Sequence, residues 1–351
     1  MTQYRAFKCK ACGSDMDYAI GLHSLKCISC GAAEVIEVAG MDFTAHDYLH
    51  TSRKVDHSDV NAVQHELHCE NCGADFVMPA HVHADECPYC DLNVVVPLGL
   101  ERQLVPDGLM PFEVNQQRAE KGFKEWLHGL WFAPNALKRK AIQAQPIVGS
   151  YMPLWSFDAD TYSRYTGSRG DNYVTTVRRN GETQTVVKTR WRNVSGDVDV
   201  KFDDLLVLGT ESLPLKFQNF LSDWKLNQSM SYDARYLSGF RSELYTIPLS
   251  QGLTNAKHVM NQVIRAHIRR DIGGDHQRIY STDTSYHNLG FQLILAPIWI
   301  SAFNYNKKTF RYVINGQTGK AYGERPWSWW KIAGLVVTLA GLAATAYYYS
   351  Q

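Results

Sequence analysis

The strongest hydropathy signal in the chain is a run without charge near its C-terminal end. Ile332 to Tyr349 carries no ionisable cation or carboxylate. As a helix, Trp329–Tyr349 spans roughly 31 Å, the thickness of a bilayer's hydrocarbon core. Trp327, Trp329 and Trp330 precede the run and Tyr347, Tyr348 and Tyr349 close it, the aromatic belts expected at two membrane interfaces. A transmembrane anchor is therefore expected over 327–351. Lys320, Arg325 and Lys331 lie on its N-terminal side and no charged side chain follows, so the positive-inside rule places the large N-terminal part in the cytoplasm. Gly334, Thr338, Gly341 and Thr345 set small residues on one helix face. That face permits close helix–helix approach and a homo-oligomer through the membrane segment.

Upstream, the pattern changes rhythm. Residues 97–112 form a connector with Pro97, Pro106, Gly108 and Pro111. Asn115 to Gly129 has helical period, with Ala119, Phe123, Trp126, Leu127 and Leu130 as its apolar stripe. Pro134 opens a shorter helix whose Lys138, Arg139 and Lys140 read as a solvated face. From about residue 147 the alternation is β-like: strands are expected at 147–157, 161–166, 173–178 and 183–191, with Arg179-Asn-Gly-Glu182 as a hairpin turn. A helix is expected from about 254, capped by Thr254 or Asn255 and closed by Gly273-Gly274. Strands return at 291–303 and 309–315, and Arg325-Pro326 leads to the anchor. Pro153-Leu-Trp155 and Pro297-Ile-Trp299 hint at two related halves. The expected fold class of 110–326 is α+β.

Composition is that of a folded protein, 45% hydrophobic and 20% charged, and a net charge of +1 supplies no bulk attraction to nucleic acid. The N-terminus lacks the apolar stretch of a secretory signal. What changes the picture is cysteine: all eight precede residue 91. Cys9-x2-Cys12 and Cys27-x2-Cys30 are followed by Cys69-x2-Cys72 and Cys87-x2-Cys90, each 60 positions later. Two such knuckles aim four thiolates at one ion, so two zinc ribbons are expected, over 1–40 and 66–98, each with a structural zinc ion. Disulfides or a redox pair are the alternatives; the duplicated spacing and lack of a βαβ context favour metal. Four thiolates leave no coordination position for water, which argues against a catalytic ion. Gly13, Gly31 and Gly73 follow the second cysteine of a knuckle, where positive φ is needed, and Asp91 takes the fourth such place. His46, His50, His57, His65 and His68 in and beside the linker 41–65, with His81 and His83 in the second ribbon, read as solvated positions rather than a third metal site.

No phosphate loop, dinucleotide fingerprint, nucleophile elbow or His-Glu-x-x-His occurs, so no enzyme is expected. Asp271, Asp275 and His276 beside Gly273-Gly274 read as a helix C-cap and turn. Lys8, Lys10 and Lys26 with Tyr4, Phe7 and His23 give the first ribbon a modest basic-aromatic surface. The second is acidic (Glu66, Glu70, Asp75, Asp85, Glu86, Asp91), which disfavours a nucleic-acid track.

Pro153-Leu-Trp-Ser-Phe-Asp158, Val194-Ser-Gly196, Phe202-Asp-Asp-Leu-Leu-Val207, Tyr236-Leu-Ser-Gly-Phe240, Asp271-Ile-Gly-Gly-Asp275 and Val313-Ile-Asn-Gly-Gln-Thr-Gly-Lys320 together resemble a bacterial family of tail-anchored zinc-ribbon membrane proteins. Its members are often labelled primosomal helicase-like or phage replisome organiser. Some are similar to a protein encoded beside phage-shock protein A and an SPFH-domain protein in a membrane-stress operon. The resemblance covers most of 110–330 and carries no established activity. It implies a bacterial inner-membrane location and SPFH-type or phage-shock-type protein partners. The helicase label conflicts with the missing phosphate loop. The expectation is a non-enzymatic adaptor, with a replication-associated nucleic-acid binder as the alternative.

Overall fold

The computed structural model describes residues 4–37, 44–55, 65–79, 81–96, 104–142, 147–179, 182–213, 217, 223–324 and 327–349. The first ribbon holds an antiparallel sheet of β1 (Met16–Ala19), β2 (Ser24–Cys27) and β3 (Ala33–Val35). A short strand β4 (His46–Asp47) runs into helix α1 (Tyr48–Val55). The second ribbon holds β5 (His65–His68), β6 (Asp75–Met78), β7 (Val82–Glu86) and β8 (Asn93–Val95). Strand β9 (Gly108–Leu109) and helices α2 (Gln116–Gly129) and α3 (Asn135–Ile142) lead to the long strands β10 (Val148–Arg179) and β11 (Glu182–Leu208). After β12 (Met230–Ser231) and β13 (Arg241–Glu243) come α4 (Leu249–Ile272), β14 (His276–Tyr305), β15 (Lys308–Asn315), β16 (Ala321–Gly323) and α5 (Trp329–Tyr349). Helix and sheet are mixed, and sheet dominates.

The frame is three very long strands. β10 lies centrally, antiparallel to β11 on one side and to β14 on the other. The separate strands expected between 147 and 178 are one 32-residue strand. The cause is a bulge that lets a polar interruption pass without ending the ladder. Pairing slips between Phe157 and Ala159 and between Asp158 and Asp160. Opposite them, Asp204 and Asn288 take left-handed backbone, at φ 54° and 50°. The stretch under α4 keeps an apolar face. There Trp155, Phe157, Tyr165, Val200, Phe202, Phe291 and Leu293 pack against Leu249, Leu253, Ala256, Met260, Ile264, Ile268 and Ile272. That stripe, at steps of three and four, is what makes α4 fold on the sheet.

Helix α4 starts at Leu249, five residues before the expected start. Pro248 occupies its N-cap, and Thr254 instead bonds back to the Ser250 carbonyl inside the helix. Gly252 obscured this first turn in the sequence. It is there because the Trp155 ring lies 2.7 Å from where a Cβ would sit. The C-terminus ends as expected, with Gly273 and Gly274 at φ 64° and 73°. Asn115 caps α2, accepting from the Arg118 N–H at 2.9 Å.

The hint of two halves has a structural counterpart. Gly209 N–H donates to the Pro153 carbonyl (3.0 Å), and Gly316 N–H donates to that of Pro297 (2.8 Å). The Gly209 carbonyl accepts from Thr246 and Ile247, just ahead of α4; that of Gly316 accepts from Glu113 and Val114, just ahead of α2. The Trp155 indole donates to the Ile247 carbonyl at 3.0 Å, and the Trp299 indole to that of Val114 at 2.8 Å. Two successive α-β-β units, α2-β10-β11 and α4-β14-β15, thus exchange helices. Each Pro-x-Trp strand holds the helix entry of the other unit.

Both ribbons pack on this frame. β7 pairs with β13, which runs parallel to the start of β10, so the second ribbon extends the main sheet. Tyr18 of the first ribbon packs on Tyr236 and Phe240, with ring centroids 4.9 and 6.4 Å away. Residues 46–55, expected as solvated linker, also fold onto the sheet: β4 pairs with β14, and Tyr48 meets the Phe291 edge. Asp56–Asn61 with His57, the turn residues Asn180-Gly181, Pro97 and Arg325-Pro326 lie outside the described residues.

Replacing either indole donor strands a buried carbonyl. Trp155→Phe and Trp299→Phe should each destabilise the detergent-solubilised chain by about 1–3 kcal/mol in urea unfolding. If one of them were neutral, the equivalence of the two halves would fail.

Candidate metal centres

Each knuckle is built by the same short backbone circuit. The N–H groups of Gly13, Gly31, Gly73 and Asp91 donate to the carbonyls of Cys9, Cys27, Cys69 and Cys87 at 2.8–3.2 Å. The N–H groups of those four cysteines donate onward to Ser14, Ala32, Ala74 and Leu92, each at 2.8 Å. Closing so tight a loop requires left-handed backbone after the second cysteine. The three glycines sit at φ 74–76° and Asp91 at 56°. This is the placement expected for those residues, and Asp91 pays the steric cost of a Cβ there.

The circuits gather the cysteines into two groups, Cys9, Cys12, Cys27, Cys30 and Cys69, Cys72, Cys87, Cys90. Within each group all sulfurs lie within 4.8 Å of one another. Sγ–Sγ distances are 3.6 Å for Cys9–Cys30, 3.5 Å for Cys12–Cys27, 3.6 Å for Cys69–Cys90 and 3.9 Å for Cys72–Cys87. None is a disulfide. A tetrahedral ion with Zn–S of about 2.3 Å has S–S edges of about 3.8 Å, so both donor sets fit such an ion. Among the described residues, these two groups are the clusters that can hold a metal ion.

Electrostatics splits each ligand set: Cys12, Cys27 and Cys90 are shifted toward the thiolate, whereas Cys30 and Cys72 are pushed up to about 12 and Cys87 is raised, first by burial. The Ser14 backbone and side chain lower the Cys12 thiol to about 6. The Asn71 amide, 3.4 Å from the sulfur, leads in lowering Cys90 to about 7. Cys27 is also lowered, first by the Cys30 N–H at 3.5 Å. The role of Asn71 was missed in the sequence, although its place between Cys69 and Cys72 was the available signal. In each ribbon the first cysteine of each knuckle is buried, whereas the second is at least partly open to solvent.

None of the described histidines joins these groups. His83 is buried with its Nε2 2.6 Å from the Tyr232 hydroxyl; His68 pairs with Asp75 and His46 with Asp107. On the first ribbon, Lys8 pairs with Asp15 at 2.7 Å and Lys10 with Glu34 at 3.1 Å. Its expected basic surface is thus substantially neutralised from within. The ribbons also touch each other: Arg5 and Val95 exchange backbone hydrogen bonds, and the Asn93 amide donates to Asp17 at 2.7 Å. Asp271 accepts from the Tyr165 hydroxyl, and Asp275 from the Asn172 N–H at 2.7 Å. These are structural bonds at the helix turn.

No family model matches the chain, and no solved structure matches it. It is 25% identical over 339 residues to a protein of Bacillus subtilis (strain 168) called Uncharacterized protein YdjG, a match that covers 96% of this chain and 94% of that one.

Because Asp91 is the one strained knuckle residue, Asp91→Gly should hold metal against a chelator at least as long as the parent. Gly73→Ala should cost about 1 kcal/mol and lose metal sooner. Metal release followed with a colorimetric chelator checks both, and the opposite order would contradict the geometry.

Proposed function

We propose that this chain is a non-enzymatic, tail-anchored zinc-ribbon adaptor that recruits cytoplasmic proteins to the inner face of a bacterial plasma membrane. The observation that carries the reading is one frame bearing two four-cysteine clusters and an apolar helix with no buried residue. Helix α5 has 21 residues, a mean hydropathy of 1.5 and no buried residue, which suits a lipid environment. Its base is fixed to the protein. Lys331 Nζ donates to the Trp131 and Ala133 carbonyls and to Asn135 Oδ1, at 3.2, 2.8 and 2.9 Å. The Ser328 N–H donates to the Phe132 carbonyl, and Phe132 packs on Trp327. Trp131, 81% exposed beside this base, adds a fourth tryptophan to the interfacial belt. A frame so tied holds its docking surfaces near the membrane and raises their effective concentration for partners there.

Zinc is the ion proposed for both centres, since four thiolates in tetrahedral array suit it and leave no site for water. The ions then act by holding shape. The resemblance points to SPFH-type or phage-shock-type proteins as partners. The neutralised first ribbon and the acidic second favour protein partners over nucleic acid.

Deleting 327–351 should move the protein from the membrane pellet to the soluble fraction after alkali and high salt. Crosslinking capture from native membranes should return protein partners with the intact chain and lose them with cysteine-to-serine variants of a ribbon. Retention of the truncated chain in the pellet would remove the anchor, and capture unchanged by every cysteine variant would remove the ribbons as docking elements.

A further inference from the structure

Beyond the C-terminus of α4 the long sheet continues as a bare hairpin. β14 begins at His276 opposite Gly170, so from Asp171↔Arg190 to Arg179↔Glu182 only β10 and β11 remain. That is nine pairs, or about 30 Å of two-stranded ribbon. Among the described residues β11 pairs with β10 alone, so its outer edge presents unpaired backbone donors and acceptors.

The side chains on that edge are sorted by face. The register places Lys188 beside Tyr173, Arg190 beside Asp171 and Arg192 beside Arg169, all on one face. Val187, Thr189 and Trp191 alternate onto the other. Arg190 lies over the Tyr173 ring at 5.2 Å, Arg192 is 3.9 Å from Asp171, and Trp191 carries the Arg278 guanidinium at 4.0 Å. The cross-strand pair Val174 and Val187 is 68% and 66% exposed, so an apolar spot lies back to back with a cationic one.

These two rows restrict what can cover the edge. A second copy pairing antiparallel about Arg190 would set arginine against arginine and Lys188 against Arg192, which like-charge repulsion disfavours. A nucleic-acid strand would meet the cations and leave the valines bare. An extended polypeptide satisfies the backbone edge and both rows at once, since its own side chains alternate with the same period.

We propose that the β11 edge from Val187 to Asn193 receives an acidic segment of a partner protein as an added strand. Asp or Glu at alternate positions of that segment face Lys188, Arg190 and Arg192, and apolar residues or Thr face Val187, Thr189 and Trp191. The proposal rests on the adaptor reading and names the chemistry of one partner.

The test uses the full-length chain in nanodiscs and the labelled peptide Glu-Val-Glu-Val-Glu-Ile-Glu, with fluorescence anisotropy as readout. Controls are a scrambled peptide of equal composition, a copy N-methylated along one edge, and oligothymidylate as competitor. The alternating peptide should bind at least about tenfold tighter than the scrambled or N-methylated ones. The exposed triple variant Lys188→Glu/Arg190→Glu/Arg192→Glu should lose it and prefer a Lys-Val alternating peptide. Equal binding of alternating, scrambled and N-methylated peptides would overturn the proposal, as would binding unchanged by the triple variant. So would oligothymidylate that binds with the same dependence on the three cations and displaces the peptide. None of these results bears on whether membrane capture depends on the ribbons, so failure here is distinguishable from failure of the adaptor reading.

Discussion

Four cysteine sulfurs lie within 4.8 Å of one another in each ribbon; as thiolates they would repel, and a dication at their centre would make that packing favourable. The rest of the N-terminal architecture depends on this balance. Each ribbon has only a few small strands, too little apolar burial to close on its own. The buried cysteines are also core residues. Cys9 and Cys27 share a cluster with Phe112, Tyr151 and Trp299, while Cys69 and Cys87 close the small core of Leu67, Met78, Leu92 and Val94. Losing an ion would therefore loosen more than a surface knuckle. At the first site the disturbance would reach the packing around Trp299, whose indole holds the entry to α2.

The frame brings together what the chain separates. Cys90 and Trp329 are far apart in sequence, but both ends attach to the same part of the long sheet. The second ribbon joins through β13 beside Ser150 and Tyr151. The α5 base is tied to the α2–α3 connection, where Ala133 and Leu137 pack in the cluster that holds Trp299 and Phe303. The other end of the sheet, the β10–β11 hairpin, is free of both. Helix exchange between the α-β-β units stiffens the middle, because each Pro-x-Trp strand is bonded to the helix entry of the opposite unit. Both ends of the sheet are thereby held in fixed relation to α5.

The parts legible in the sequence were those governed by local rules. The cysteine spacing, the glycine or aspartate after each knuckle, the Gly273-Gly274 stop and the uncharged C-terminal run all depend on a few neighbouring residues. The glycines and Asp91 have the positive φ their positions required. What stayed hidden was set by long-range pairing. The 32-residue β10 looked like several strands because its stretch beyond Gly170 lacks a buried face and its bulge at Asp158–Asp160 breaks the alternation. The start of α4 was masked by Gly252, a residue explained only by the Trp155 ring. The fold of residues 46–55 onto β14 could not be read from a polar, histidine-rich stretch, because β4 contributes only two residues to the pairing. The exchange of helices left only the two Pro-x-Trp triplets as a trace, since the glycines that complete it occur at different spacings.

The most direct test of the account is the ion count and ligand shell of the full-length chain. Metal analysis combined with zinc X-ray absorption on the protein in nanodiscs should give two zinc ions per chain. Each should be surrounded by four sulfurs at about 2.3 Å. One ion or none in folded protein, or a shell containing nitrogen or oxygen ligands, would contradict it.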